Sequence, residues 1–246
     1  MKGTAMSNIG KVRRANEDSF GIHQENQPFY MVADGMGGHK GGAIASREAV
    51  MYITEHLKSH LKPEISEETL KQILEESVSR ANQEIFQKGE DSRDCKGMGT
   101  TLTLAVPLQR ENKVYFAHIG DSRAYVIGND GMHQVTRDHS LVQELVSNGD
   151  ITEEEAKEHP KRNVITRALG TENHVHPDVF PIDFSFVPDH YLLLCTDGLS
   201  NALEKEEIEN VVRSSESIEG ACERLINKAN ERGGQDNITV LILQGS

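Results

Sequence analysis

Strand-forming runs follow one another in this chain without a helix between them. Thr101–Val106, Val114–Ile119 and Ala124–Ile127 are short, apolar and rich in β-branched or aromatic residues, and Pro28–Ala33, Tyr191–Thr196 and Ile238–Leu243 read the same way. Asn129-Asp130-Gly131, between two of these runs, is a hairpin turn signal. Strands joined by tight turns pair antiparallel, whereas a parallel sheet needs a crossover element between neighbours. The pattern therefore predicts an α+β chain, or a β-sandwich covered by helices, and argues against a doubly wound sheet.

The helical signal falls in blocks. Gly42–Leu61 places Ala45, Ala49, Ile53 and Leu57 on one stripe, and Ser66–Lys88 places Leu70, Ile73, Leu74, Ser77, Val78, Ala81 and Ile85 at three- and four-residue steps. Ser66 suits an N-cap, with Glu67 and Glu68 in the first turn where the helix dipole favours acids. Pro63 separates the blocks, which predicts an antiparallel pair. A second pair is expected at Glu204–Arg213 and Ser217–Arg232, and Thr152-Glu153-Glu154-Glu155 fits a capping box that opens a short helix. These apolar stripes read as core. His56, His60, His174 and His176 read as surface positions.

At 246 residues, with neither a linker-like stretch nor a fixed-period repeat, the chain is expected to form one domain over 1–246. Its formal net charge of -13 disfavours nucleic acid, which needs surplus Lys and Arg, and offers no basic patch for anionic membranes. The longest apolar runs, Tyr191–Cys195 and Ile238–Leu243, are too short to cross a bilayer, and no charged-then-apolar leader opens the chain. Cys95, Cys195 and Cys222 form an odd, scattered set that argues against a disulfide framework or a zinc site. A reduced, cytoplasmic protein that acts as a monomer is expected.

Aspartate placement carries the chemistry. Asp34 ends Phe29-Tyr30-Met31-Val32-Ala33, and Asp197 ends Leu192-Leu193-Leu194-Cys195-Thr196; each is followed by glycine. Asp121 follows Val114–Ile119 and Gly120, Asp236 precedes the strand starting at Ile238, and Asp18 sits in Asn16-Glu17-Asp18. A single Asp-Gly after an apolar run is an ordinary hairpin signal. The set is different. If these strands are neighbours, their ends gather carboxylates that raise one another's pKa, a cost that a divalent cation removes. Oxygen-only donors suit Mg²⁺ or Mn²⁺, and no loop has the spacing of an EF-hand. A pair of such ions can acidify a water and clamp phosphate oxygens.

Asp34-Gly35-Met36-Gly37-Gly38-His39-Lys40-Gly41-Gly42 runs from strand to helix and would let backbone approach a metal or a phosphate closely. A nucleotide-binding reading does not fit in detail. Lys40 is followed by Gly41 where a Walker loop needs Ser or Thr, and Lys40 stands where the dinucleotide fingerprint needs glycine.

Taken in order, Arg13-x-x-Asn16-Glu17-Asp18, Val32-Ala33-Asp34-Gly35-Met36-Gly37-Gly38-His39, Gly97-Met98-Gly99-Thr100-Thr101, Gly120-Asp121-Ser122-Arg123, Thr196-Asp197-Gly198-Leu199 and Gly234-Gln235-Asp236-Asn237-Ile238-Thr239-Val240 resemble the type 2C metal-dependent protein serine/threonine phosphatases in their compact bacterial form. The resemblance covers about Thr4 to Leu243. It implies two antiparallel sheets packed face to face with a pair of antiparallel helices on each outer side. It also implies hydrolysis of phosphoserine and phosphothreonine on proteins without a covalent phosphoenzyme, in opposition to a bacterial serine/threonine kinase.

Residue by residue, the resemblance implies that Asp34 bridges two core Mn²⁺ or Mg²⁺ ions and that the Gly35 carbonyl ligates one. Asp197 and Asp236 complete one ion's ligands, Asp18 acts largely through water, and Glu17 stands one step behind. Asp121 with Asp197 would hold a weaker third ion. Arg13 would grip the phosphate, as guanidinium geometry suits. Thr100 and Thr101 are expected to pack a strand, and Ser122 and Arg123 to shape the turn behind Asp121. A flap at about 138–166, with His139, His159 and Asn163, would bear on substrate choice. In the longest-known members a histidine directly follows the Asp-Gly pair and is proposed to protonate the leaving group. Here Met36 follows Gly35 and the histidine comes later, at His39, which is the candidate for that role.

A phosphatase-like binding module without activity would be expected to have lost some of Asp34, Asp197 or Asp236, and all three are present. A phosphate-cradling nucleotide-binding protein lacks its Lys-Ser/Thr signature.

Overall fold

A computed structural model describes residues 2–37 and 40–245. The strands β1 (Lys2–Asn8), β2 (Asp18–His23) and β3 (Phe29–Met36) lead into α1 (Gly41–His60) and α2 (Glu67–Asp91). A run of strands follows: β4 (Gly99–Thr100), β5 (Leu102–Leu108), β6 (Lys113–Ile119), β7 (Arg123–Gly128) and β8 (Gly131–Gln134). The short helices α3 (Leu141–Asn148) and α4 (Glu153–Glu158) precede β9 (Asp178–Asp183) and β10 (Tyr191–Cys195). The chain closes with α5 (Asp197–Ser200), α6 (Lys205–Ser214), α7 (Ile218–Glu231) and β11 (Ile238–Gln244).

The strands form two sheets, in the orders β1-β11-β10-β7-β8 and β2-β3-β5-β6-β9, with β4 added beside β3 and every pairing antiparallel. Alternation along β3 shows how one strand serves two cores. Phe29 and Met31 face α1 and α2, while Tyr30 and Val32 face the other sheet. On β10, Leu193 and Cys195 face the second group of helices, while Leu192 and Leu194 fill the space between the sheets. Three apolar layers result, each between two sheets or between a sheet and helices, and the order of layers is helix, sheet, sheet, helix. Each large side chain buried there contributes roughly 1.5–3 kcal/mol.

The helix stripes are core as expected: Ala45, Ala49, Ile53 and Leu57 of α1 and Leu70, Leu74, Val78 and Ile85 of α2 are buried. The Ser66 hydroxyl accepts from the Thr69 N–H and caps α2, and Thr152 and Glu155 form the capping box at α4. His56 departs from expectation. It is buried on α1, stacked on His60 with ring centroids 4.1 Å apart, and it is not a surface position. The Asp-Gly pairs also depart from the hairpin pattern. Asp34 and Gly35 lie inside β3, which runs on to Met36, and Asp197 opens α5.

Candidate active site

Sheet pairing does the gathering. Asp18 opens β2 directly opposite Asp34 on β3. β10 and β11 are paired, so Asp197 just after one lies beside Asp236 just before the other, with the Thr196 N–H donating to the Thr239 carbonyl at 3.1 Å. Asp121 sits in the turn between β6 and β7. The carboxylates of Asp18, Asp197, Asp121 and Asp236 all act on Asp34, whose pKa is held well above the usual carboxylate range, first by burial and then by those neighbours.

The same causes act across the group. Burial, then the charges of Asp197 and Asp236, raises Asp18 to about 7 against the hydrogen bonds it accepts. Burial, then Asp197 and Asp138, raises Asp121 to about 7. Burial and Asp236 raise Asp197 to about 6, opposed by a hydrogen bond from Asp34 and by Arg123 and Arg13. Glu17 is raised by its burial.

Several of these carboxylates are half satisfied. Asp18 Oδ2 accepts from the hydroxyls of Thr196 at 2.8 Å and Thr239 at 2.7 Å, yet its buried Oδ1 has no partner. Asp197 Oδ2 accepts from the Asn201 amide at 3.0 Å, and its buried Oδ1 is bare. Asp121 Oδ1 is buried and bare as well. A buried, unpaired carboxylate oxygen is costly, and a cation is its natural partner. Among the described residues, no three His, Cys, Asp or Glu side chains are grouped so as to hold an ion as they stand. The donor chemistry and the bare oxygens nevertheless fit oxygen-ligated Mg²⁺ or Mn²⁺.

Backbone contacts fix the bases of these side chains. The Asp34 N–H donates to Thr101 Oγ1 at 2.9 Å, and the Asp34 carbonyl accepts from the Thr100 hydroxyl at 2.9 Å. Thr101 in turn shares a 2.7 Å hydrogen bond with Ser122. The expectation of strand packing for these threonines thus understates them. Gly35 is hemmed in between strand and helix. A Cβ there would lie 2.1 Å from the Gly42 carbonyl oxygen and 2.6 Å from that of Glu17. Only glycine allows that approach, and it pins the carbonyl expected to serve as a ligand.

Arg13 lies in the loop between β1 and β2, which Asn237 braces. The Asn237 amide donates to the Ile9 and Ala15 carbonyls, both at 3.0 Å, and its Oδ1 accepts from the Glu17 N–H at 2.8 Å. Arg13 donates to Asp236 Oδ2 at 2.7 Å, so the guanidinium stands at the carboxylate cluster. Arg123 makes a two-pronged pair with buried Asp138.

The three flap residues do not converge. His139 is buried at the flap's root, His159 accepts from the Lys161 N–H beside α4, and Asn163 is exposed. His39 lies outside the described residues. Thr196, Thr239, Asn237 and Asn201 were not singled out by sequence. Thr196, Asn237 and Asn201 lie close in sequence to Asp197 or Asp236, but the aspartate that Thr196 and Thr239 serve is Asp18, far away along the chain.

A cleft of about 770 Å³ opens from Asp121 and Asp197 between α3, α4 and α6, with Val142, Val146 and Leu203 among its walls.

Residues 11–239 match protein phosphatase 2C. The chain belongs to that family. It is 40% identical over 237 residues to the serine/threonine phosphatase stp of Listeria innocua, covering 96% of this chain and 92% of that one. Its fold matches the S. agalactiae serine/threonine phosphatase with a TM-score of 0.91 and 35% identity, covering 100% of this chain and 99% of that one. It also matches the catalytic domain of serine threonine protein phosphatase PstP in complex with two manganese ions, with a TM-score of 0.83 and 33% identity over 98% of this chain and 96% of that one. The protein is a serine/threonine phosphatase of the 2C type, a metal-dependent hydrolase. The sandwich with helices on both outer faces is the family fold. Among the described residues no helix is long and apolar enough to cross a membrane.

Proposed function

We propose that this phosphatase hydrolyses phosphoserine and phosphothreonine on proteins at a binuclear Mg²⁺ or Mn²⁺ centre, as one catalytic domain, and reverses the work of a bacterial serine/threonine kinase in cytoplasmic signalling. The observation that carries the reading is the set of bare, buried carboxylate oxygens on Asp18, Asp121 and Asp197, brought together from separate elements. Asp34, the Gly35 carbonyl, Asp197, Asp236 and Asp18 would hold two ions, and Asp121 with Asp197 a weaker third. When bound, the ions supply an acidified water and positive charge against the phosphate oxygens.

The chain's own residues set up the rest. Arg13 exchanges its bond to Asp236 for one to the phosphate, and two-pronged guanidinium geometry orients the ester for in-line attack. Water oxygen bonds to phosphorus as the P–O bond to Ser or Thr breaks, and the departing alkoxide takes up a proton. His39 is the candidate donor of that proton on sequence grounds. The cleft beside the flap suits the peptide flanking the phosphorylated residue, which gives the flap a part in substrate choice.

The test is turnover of a phosphothreonine peptide by metal-stripped protein, with Mn²⁺ and with excess chelator. Restoration by Mn²⁺ is expected. Full activity in chelator would overturn the metal reading.

A further inference from the structure

One buried imidazole beside the cluster is used by none of the chemistry above. His139 stands where the flap leaves the body of the protein, and its side chain is only 2% exposed. It binds the neighbouring turn twice. The His139 N–H donates to the Gly120 carbonyl at 2.8 Å, and the Gly120 N–H donates back to His139 Nδ1 at 3.1 Å. Gly120 is the residue before Asp121. Its φ of +105° suits glycine, and a Cβ there would lie 2.5 Å from the Thr101 side chain. Asp121 therefore hangs from a turn whose preceding peptide groups are both held by one residue.

The far side of the ring is held too. His139 Nε2 lies 3.1 Å from Asp178 Oδ2, and Arg167 donates to Asp178 Oδ1 at 3.0 Å. These contacts fix the tautomer. A backbone N–H can only donate, so Nδ1 must be the lone-pair nitrogen, and the proton sits on Nε2, where the carboxylate accepts it. If the proton moved to Nδ1, two N–H groups would face each other at the Gly120 contact. The backbone carbonyl of His139 meanwhile accepts from the Thr166 N–H at 2.8 Å, where the flap returns. Both ends of the flap thus meet at the residue that holds the Gly120–Asp121 turn.

The geometry points to His139 as a positioning residue: with Asp178 it forms a carboxylate–imidazole–backbone chain that sets Asp121 for the weakest ion and couples that placement to the flap root. The inference rests on the assignment of Asp121 as a metal ligand. It replaces direct substrate contact as the part played by this histidine. Partners that orient a ligand from behind typically contribute 10- to 100-fold in metal affinity or activity, roughly.

Calorimetric Mn²⁺ titration of the full chain tests it, beside KM for a phosphothreonine peptide at saturating metal. In His139→Leu the weakest Mn²⁺ step is expected to weaken by roughly 10-fold or more, with KM changed less than about twofold. His139→Asn, which keeps an acceptor within reach of the Gly120 N–H, is expected to recover much of that loss. Asp178→Ala removes a half-exposed side chain and with it the carboxylate that holds the far side of the ring, so it is expected to weaken the same step without loss of fold. It decides the matter even if His139→Leu does not fold. Imidazole ¹⁵N shifts in the wild type are expected to report a proton on Nε2.

Unchanged Mn²⁺ affinity in Asp178→Ala would overturn the proposal, as would the opposite tautomer. A raised peptide KM with unaltered metal titration would return His139 to substrate contact. A wild-type protein that binds no Mn²⁺ would instead overturn the metal reading itself, and the two failures are distinguishable in one series.

Discussion

Asp18 and Asp34 are direct cross-strand partners on β2 and β3. Like charges in that relation destabilise a ladder, and here burial adds to the cost. Protonation relieves it: burial and then the Asp18 charge hold Asp34 well above the usual carboxylate range, while burial, then the charges of Asp197 and Asp236, raise Asp18 from 3.8 to about 7. The sign for stability follows. A carboxyl whose folded pKa lies above its unfolded value contributes fully below about pH 3.9, and the contribution is lost as pH rises through about 7. Metal-free protein should therefore lose on the order of a few kcal/mol between about pH 5 and pH 7.5, or roughly 5–10 °C in Tm. Added Mn²⁺, which binds only the folded state, should restore most of it. Thermal melts at both pH values, with Mn²⁺ and with chelator, check this. A chelator effect that does not grow with pH would count against a carboxylate cluster waiting for cations.

Asp34, Asp197 and Asp236 should each be indispensable to metal-dependent turnover. Replacement of any one by Ala is expected to cost more than about 100-fold in activity, above the range seen for groups one step behind a metal. The fold should stay near native under saturating Mg²⁺. Asp121→Ala should keep the two tighter ions and still lose much of the rate. Calorimetry decides: tight binding of two ions by Asp34→Ala would refute the assignment of that residue.

Thr196 and Thr239 both donate to one oxygen of Asp18 and leave the other bare. The double variant Thr196→Val, Thr239→Val removes both donors at little change in shape. Metal affinity is expected to fall roughly 10-fold, since the ligand loses the bonds that orient it. Mn²⁺ affinity equal to the wild type would show that the threonines serve packing alone.

Arg13 and Asp236 meet at 2.7 Å although 223 residues separate them, because Asn237 ties the Arg13 loop to the start of β11. If that guanidinium grips phosphate in the ground state and the transition state alike, Arg13→Ala should mainly raise KM. Loss of a charge-assisted bond of about 1.5–3 kcal/mol corresponds to roughly 10- to 100-fold in kcat/KM. Steady-state kinetics on a phosphopeptide measure it, and an unchanged KM would remove Arg13 from phosphate binding.

The pattern of what could be read in advance is physical. The apolar runs of the sequence became β3, β5, β6, β7, β10 and β11, all of which have a strand on either side. The strands not disclosed by an apolar run include all four edges, β1, β8, β2 and β9, although Asn129-Asp130-Gly131 marks the turn into β8. An edge strand needs no continuous apolar run. β1 is Lys-Gly-Thr-Ala-Met-Ser-Asn, and β9 carries Pro181, whose missing N–H costs least where one side of the strand is unpaired. The aspartates were legible because a charge at the end of a buried strand is conspicuous. Thr196 and Thr239 were not, since a threonine in a strand is ordinary and only three-dimensional pairing shows both donating to Asp18. The sequence groups His139 with the segment 138–166, but its hold on Gly120 depends on a contact that no spacing announces.

His39 can be tested through the leaving group. It lies in the glycine-rich loop, five residues after Asp34. A serine or threonine alkoxide is a poor leaving group and needs a proton as the P–O bond breaks, whereas nitrophenolate needs little help. A positioned general acid contributes on the order of 10²–10⁴ in rate where one is needed. His39→Ala should therefore slow a phosphothreonine peptide strongly and barely affect p-nitrophenyl phosphate. A histidine that only orders the loop would harm both substrates alike, through the neighbouring ligands. One that only touches the peptide would raise its KM and leave kcat alone. Measuring kcat and KM for both substrates separates the three roles, and equal small effects on both would remove His39 from the mechanism.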